Sequence, residues 1–236
     1  MTALTWRDVT AEHVAAETDR IVASAASLRN DAVLAPSLCP GWSRGHVLAH
    51  VARNADALAR VATVALTGEP GQMYPSQADR DAEIERGARR PAAHQATDIL
   101  ESGERLAALL HRLGPEHADV RVERVPGGPA LEVGRLRFMR LRELVFHHVD
   151  LDSCFGFASL SPEVVDLFLA DTVERLRASD APPSVTLVTS EGDHLVLGGG
   201  ATIVTGSRAG VLLWATRGRT DQVTLDGPPP TLPFGG

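Results

Sequence analysis

Residues 142–151, Arg-Glu-Leu-Val-Phe-His-His-Val-Asp-Leu, place a carboxylate and two imidazoles inside a run of Leu, Val and Phe. On a helix, Glu143 and His147 stand at i and i+4 and share a face. That face continues back through Met139 and Leu136, so it points inward, where an ionised carboxylate is costly unless it is paired or bound to a metal. His148 is rotated about 100° from His147 and lies with Leu141, Leu144 and Val145. Both stripes are apolar, so periodicity alone does not choose between the histidines; the face shared with Glu143 favours His147.

A second segment, Ser43 to Leu58, carries His46 and His50. His50 shares a face with Val47, Val51 and Asn54 and also points inward, whereas His46 lies near the helix start. One histidine from this helix and Glu-x-x-x-His from the other make a His₂Glu set. Three protein ligands with an open fourth position is the pattern of a catalytic zinc rather than a structural one, and the core between bundle helices is a regular place for it. A second reading stands beside this one: Glu143 is hydrogen-bonded to a histidine or neutralised by an arginine, with no metal.

These residues need elements to hold them. Apolar residues at Val14, Ile21, Val22, Ala25 and Leu28 predict a helix within 8–34. Pro-Ser-Leu-Cys-Pro-Gly-Trp (36–42) is a turn, and Ser43 is the N-cap of a second long helix. A short helical piece falls at 77–87 and a third long helix at 92–113, ended by Gly114-Pro115. A strand pair is expected near 120–133 and a fourth long helix at 134–151. Four long helices with intervening turns predict a bundle. After Gly156 the character changes. Ser161-Pro162-Glu163 opens a helix to about Ala178, three short β-branched strands follow, 207–218 reads as helical, Gln222–Gly227 as a last strand, and the Pro-rich tail as an irregular strap. The fold class is therefore α+β, with a helical bundle over 1–155 and a small α+β domain over 156–236.

The 236 residues are 44% hydrophobic and 22% charged, enough for a sizeable core. Aromatics are only 4%, so that core is built mainly from Leu, Val and Ala. A net charge of −7 argues against a general nucleic-acid binder, while leaving room for a local basic pocket that takes an acidic small molecule. No stretch reaches the roughly 18 apolar residues of a membrane span, and the N-terminus lacks the pattern of a signal peptide. A cytoplasmic protein with two free cysteines, Cys39 and Cys154, is the expectation; Cys39 in Leu-Cys-Pro-Gly-Trp reads as a bystander rather than a reactive thiol. The residues leave the oligomeric state open, with a monomer as one expectation.

Three stretches resemble the mycothiol-dependent maleylpyruvate isomerases. Residues 41–58 (GWSRGHVLAHVARNADAL) are similar to that family's second-helix segment. Residues 73–88 (MYPSQADRDAEIERGA) are similar to the segment that follows. Residues 140–151 (RLRELVFHHVDL) are similar to its Arg-Glu-x-x-x-His-x-x-Asp-Leu motif. The 210–219 helix (GVLLWATRGR) is a looser match. The resemblance implies a DinB-like four-helix bundle followed by a small α+β domain, a zinc held by His50, Glu143 and His147, and mycothiol as thiol cofactor. It implies addition of the activated thiol to the double bond of maleylpyruvate, rotation, and expulsion of the thiol to leave fumarylpyruvate. It also implies a substrate arginine from the C-terminal region. Arg217 is the match, with a catalytic and substrate-binding role, and Arg219 is its competitor because the local spacing departs from the family's. Arg80 is a further substrate-binding candidate. All 23 basic residues are Arg, which accords with a GC-rich, actinobacterial source for a mycothiol enzyme of aromatic degradation. Two alternatives stay open: a mycothiol S-transferase that releases the conjugate, and a non-catalytic zinc-binding bundle. His148 and His46 are read as packing or capping residues, and Asp150 either as a residue orienting a ligand or as a helix-surface acid.

Overall fold

A computed structural model describes residues 4–233. The first three residues, and the last three of the Pro-rich tail, lie outside the described residues. The described chain divides into two units, one running Trp6–Asp152 and the other holding residues 153–233 with residues 4 and 5.

In the first unit, α1 (Ala11–Ser27), α2 (Arg44–Thr67), α4 (Ala92–Leu110) and α5 (Leu136–Asp150) form the bundle, with the shorter α3 (Gln77–Ala88) against α2. Each long helix packs on two others, in the cyclic order α1, α4, α2, α5. The helix starts are written locally. Thr10 N–H donates to His13 Nδ1 at 3.1 Å, and Ser43 N–H donates to His46 Nδ1 at 3.2 Å. In both, a histidine takes the place of the Glu or Gln of a capping box. Gly68, at φ 72°, ends α2 in the left-handed conformation that a non-glycine residue adopts only at a cost. The expected helix within 8–34 stops earlier, at Ser27, because Leu28 turns to extended backbone. The short 3₁₀ turn that follows at Ala32–Leu34 is capped by Asp31.

The core matches the composition: Ala55, Leu58, Val61 and Ala62 of α2 meet Leu106 and Leu110 of α4 and Leu136 of α5. Small residues set a close approach between α2 and α3. A Cβ on Gly45 would fall 1.9 Å from the Ala88 carbonyl oxygen, and one on Gly87 would fall 2.7 Å from Ala49 Cβ. Between α4 and α5, β1 (Arg121–Glu123) and β2 (Ala130–Glu132) pair antiparallel, with Val122 opposite Leu131.

In the second unit, α6 (Pro162–Arg177) and α7 (Arg208–Arg217) pack together beside a four-stranded sheet. Its strands are β3 (Val185–Thr189), β4 (His194–Leu197), β5 (Thr202–Gly206) and β6 (Val223–Leu225), in the order β4-β3-β5-β6. Strands β3 and β5 are parallel and the other pairs antiparallel. Arg208 ties this unit together through Asp166 at 2.8 Å and Asp193. The residues after Leu225, as far as they are described, form no strand or helix. The molecule is α+β, a helical bundle followed by a small α+β unit. No helix of the described chain is long and apolar enough to cross a membrane.

Candidate functional site

Helices α2 and α5 pack side by side, and the face of each that carries polar groups turns toward the other. His50 is 5% exposed, and its Nε2 lies 2.9 Å from Glu143 Oε2. The same carboxylate oxygen is 3.4 Å from His147 Nε2. The two imidazole rings meet edge to face at 4.6 Å between centroids. One donor atom from each of the three residues lies within 4.8 Å of the others. Ligands of a tetrahedral zinc at 2.0–2.1 Å stand about 3.3 Å apart, so the 2.9 and 3.4 Å separations straddle what such an ion requires. The donor set, two imidazoles and one carboxylate with side-chain exposures of 6%, 17% and 26%, suits a borderline-soft divalent cation with one open side.

Outer contacts orient these donor atoms. Asp150, on the turn after His147, is fully buried, and its Oδ2 accepts from His147 Nδ1 at 2.8 Å. That fixes the ring's proton on Nδ1 and leaves Nε2 facing Glu143, the arrangement of carboxylate–histidine–metal sites. It places Asp150 as an orienting residue and not on the helix surface. Arg80 Nη2 lies 3.4 Å from His50 Nδ1, and its Nη1 donates to Asp81 at 2.8 Å. Its guanidinium sits over the Trp42 ring at 5.9 Å, and Trp42 also packs on His50 at 5.4 Å.

The electrostatics follow from this crowding. Burial pushes His50 down to about 4, aided by the neighbouring His147, so its imidazole is neutral at physiological pH. Burial acts to raise Glu143, but its hydrogen bonds with His147 and His50 outweigh that and hold the carboxyl well below the usual range. For His147 burial acts to lower the pKa, and hydrogen bonds to Asp150, Cys39 and Glu143 prevail, leaving it well above the usual histidine value.

His46 and His148 stay out of the cluster. His46 closes the α2 capping box and contacts Glu85 at 2.9 Å. His148 reaches Ser24 Oγ at 2.7 Å, tying α5 to α1. Arg217 ends α7 in the second unit, where Nη1 donates to the Thr216 carbonyl at 2.7 Å. Arg219 pairs with Asp221 at 2.9 Å. Two contributors escaped the sequence reading. Cys39 Sγ donates to Asp150 Oδ2 at 3.1 Å, so it is no bystander in the fold. Arg140, fully buried, donates from Nη1 to the Val51 carbonyl at 2.8 Å and to Asn54 Oδ1 at 3.0 Å. It thereby cross-links the two helices that carry the cluster. Burial lowers Arg140 to about 10, against the attraction of Glu143, so it stays charged at neutral pH.

Residues 14–152, the whole span that carries this cluster, match the sequence profile of the family described as mycothiol maleylpyruvate isomerase N-terminal domain. A solved structure of the mycothiol-dependent maleylpyruvate isomerase is 26% identical at TM-score 0.85, over 98% of this chain and 100% of that one. A histidine-to-alanine mutant of the mycothiol-dependent maleylpyruvate isomerase gives 25% identity, TM-score 0.85 and the same coverage. No functionally curated protein matches the sequence. With a matched span that covers more than half of its length, the chain belongs to the mycothiol maleylpyruvate isomerase N-terminal domain family.

Proposed function

We propose that this protein is a mycothiol-dependent cis–trans isomerase that converts maleylpyruvate to fumarylpyruvate, with zinc held by His50, Glu143 and His147. The observation that carries the reading is the convergence of three ligand atoms from α2 and α5 within 4.8 Å, in a member of this family. Zinc held by these residues would lower the pKa of a thiol brought to it and so keep its sulfur deprotonated at neutral pH. The chain's own residues do the rest. His50 and His147 present Nε2, and Glu143 supplies the anion that balances the cation. Asp150 holds the proton on His147 Nδ1, so the other nitrogen keeps its lone pair toward the site. Trp42 covers one side of His50 and keeps water from it.

Isomerisation moves no atom between molecules. The double bond needs only to become single long enough to rotate, while a dianionic substrate is held at its carboxylates. Arg80, against His50 and Trp42, is the cation we assign to one carboxylate. Arg217, with Arg219 the neighbouring alternative, is assigned to the substrate from the sequence resemblance, with kinetics of Arg217→Ala and Arg219→Ala as its test.

The decisive experiment is a spectrophotometric maleylpyruvate assay on purified, metal-analysed protein with and without mycothiol. Turnover that requires mycothiol in catalytic amount, and that disappears in His50→Ala, is the expected result. A zinc-loaded sample with no turnover sinks the isomerase reading; conjugation of mycothiol to an electrophile by the same sample would then identify a transferase.

A further inference from the structure

We propose that Cys39 is a positioning residue for His147, acting through Asp150. The inference rests on the reading of His147 as a zinc ligand. It begins in the loop before α2, which is closed on itself. Ser37 N–H donates to the Trp42 carbonyl at 3.0 Å, and Trp42 N–H returns a bond to the Cys39 carbonyl at 3.0 Å. Cys39 N–H donates to Ser37 Oγ at 3.1 Å, and Gly41, at φ 77°, makes the tight turn possible. The Cys39 side chain is therefore held by a rigid turn and not by a flexible strap.

That turn is docked on the C-terminal end of α5. Leu38 N–H donates to the Asp150 carbonyl at 3.0 Å. Arg44 donates from Nε to the Leu151 carbonyl at 2.6 Å and from Nη2 to the Asp152 carbonyl at 2.8 Å. The loop thus satisfies carbonyls that a helix end leaves without intrahelical partners. The contact is completed by the thiol. Cys39 Sγ–H and His147 Nδ1–H both donate to one oxygen, Asp150 Oδ2, at 3.1 and 2.8 Å.

A carboxylate with a single donor on one oxygen can turn about its own axis, whereas two donors from opposite elements fix its plane. The consequence reaches the imidazole: with Asp150 pinned, the His147 ring is held with Nε2 toward Glu143. A thiol suits this place because it is a weak donor. It steers the carboxylate without competing strongly with the imidazole for the oxygen's charge.

Zinc affinity measured by chelator competition on the full-length protein tests this, with Cys39→Ala, Cys39→Ser and Glu143→Gln compared. Loss of an outer contact of this kind is worth about 10- to 100-fold in metal affinity. Cys39→Ala is expected to show such a loss, and Cys39→Ser, which keeps a donor, to recover part of it. A merely structural Cys39 would lower the melting temperature of metal-free Cys39→Ala and leave the zinc constant unchanged; that result overturns the proposal. Cobalt-loaded wild-type protein, without added thiol, is expected to lack a sulfur-to-cobalt charge-transfer band. Such a band would make Cys39 a ligand and equally overturn the proposal. If Glu143→Gln loses zinc while Cys39→Ala does not, this inference fails and the metal reading stands. If Glu143→Gln keeps zinc, the metal reading fails and takes this inference with it.

Discussion

Replacing Glu143 by glutamine changes the charge of the site and almost nothing of its shape. The carboxylate oxygen at 2.9 Å from His50 and 3.4 Å from His147 becomes part of a neutral amide. An outer-sphere partner of a metal ligand is worth about 10- to 100-fold in affinity, so loss of an anionic ligand should cost more than about 100-fold, or roughly 2.7 kcal/mol. In metal-free protein the cost is smaller. Only the His50 contact has ordinary hydrogen-bond length, and a charge-assisted bond contributes about 1.5–3 kcal/mol. At roughly 2–4 °C per kcal/mol for a chain of this size, the melting temperature should fall by about 3–12 °C. The sign with pH is fixed by the lowered Glu143 pKa. Its contribution is present above the ordinary carboxylate value and disappears as the pH falls through the folded-state value, so wild type and variant should converge in acid. Zinc competition and calorimetry of the metal-free forms, over a pH series, measure both limbs. An unchanged zinc affinity in Glu143→Gln, with the fold intact, refutes the assignment of the carboxylate as a ligand.

Arg80→Gln should raise KM for the dianionic substrate by about tenfold or more, since a charge-assisted bond is worth about 1.5–3 kcal/mol; steady-state kinetics on protein loaded with zinc to the same content as wild type separate this from any change in metal affinity through the His50 contact. Glu17→Gln should stabilise the protein at neutral pH by about 1 kcal/mol, because burial costs the carboxylate more than its one ion pair returns: Oε1 accepts from Arg20 at 2.9 Å, while Oε2 is buried without a partner among the described residues. Burial raises the Glu17 pKa against the pull of Arg20. Its neutral form is therefore favoured in the fold, and the advantage of the variant should vanish below the ordinary carboxylate range, as thermal melts at neutral and acid pH would show. Gly45→Ala forces its new Cβ to 1.9 Å from a backbone oxygen and should cost at least 1–3 kcal/mol, about what overpacking costs; a melting temperature equal to wild type would show that α3 can yield.

What the sequence disclosed followed from periodicity and caps. The inward stripes of α2 and α5 foretold that His50 and Glu143, 93 positions apart, face a common interior. Ser43 marked the start of α2. What it withheld depended on loops and on long-range docking, which have no period to read. Cys39 meets Asp150 across 111 positions, through a turn whose place on α5 only the fold decides. Arg140 was illegible for another reason: in a helix with several arginines, a guanidinium that is wholly buried looks like its solvated neighbours. The end of α1 was misplaced because Leu28 continues the apolar pattern while its backbone has already left the helix.

Among the described residues, every hydrogen bond and ring contact of His50, Glu143 and His147 comes from Trp6–Asp152, and Asp150 stands two positions before that unit ends. The side chains of the cluster and of its outer contacts are thus written between Cys39 and Asp152, in the first two thirds of the chain. One unit of the fold therefore carries both the residues proposed to hold the metal and Arg80, the cation proposed for the substrate.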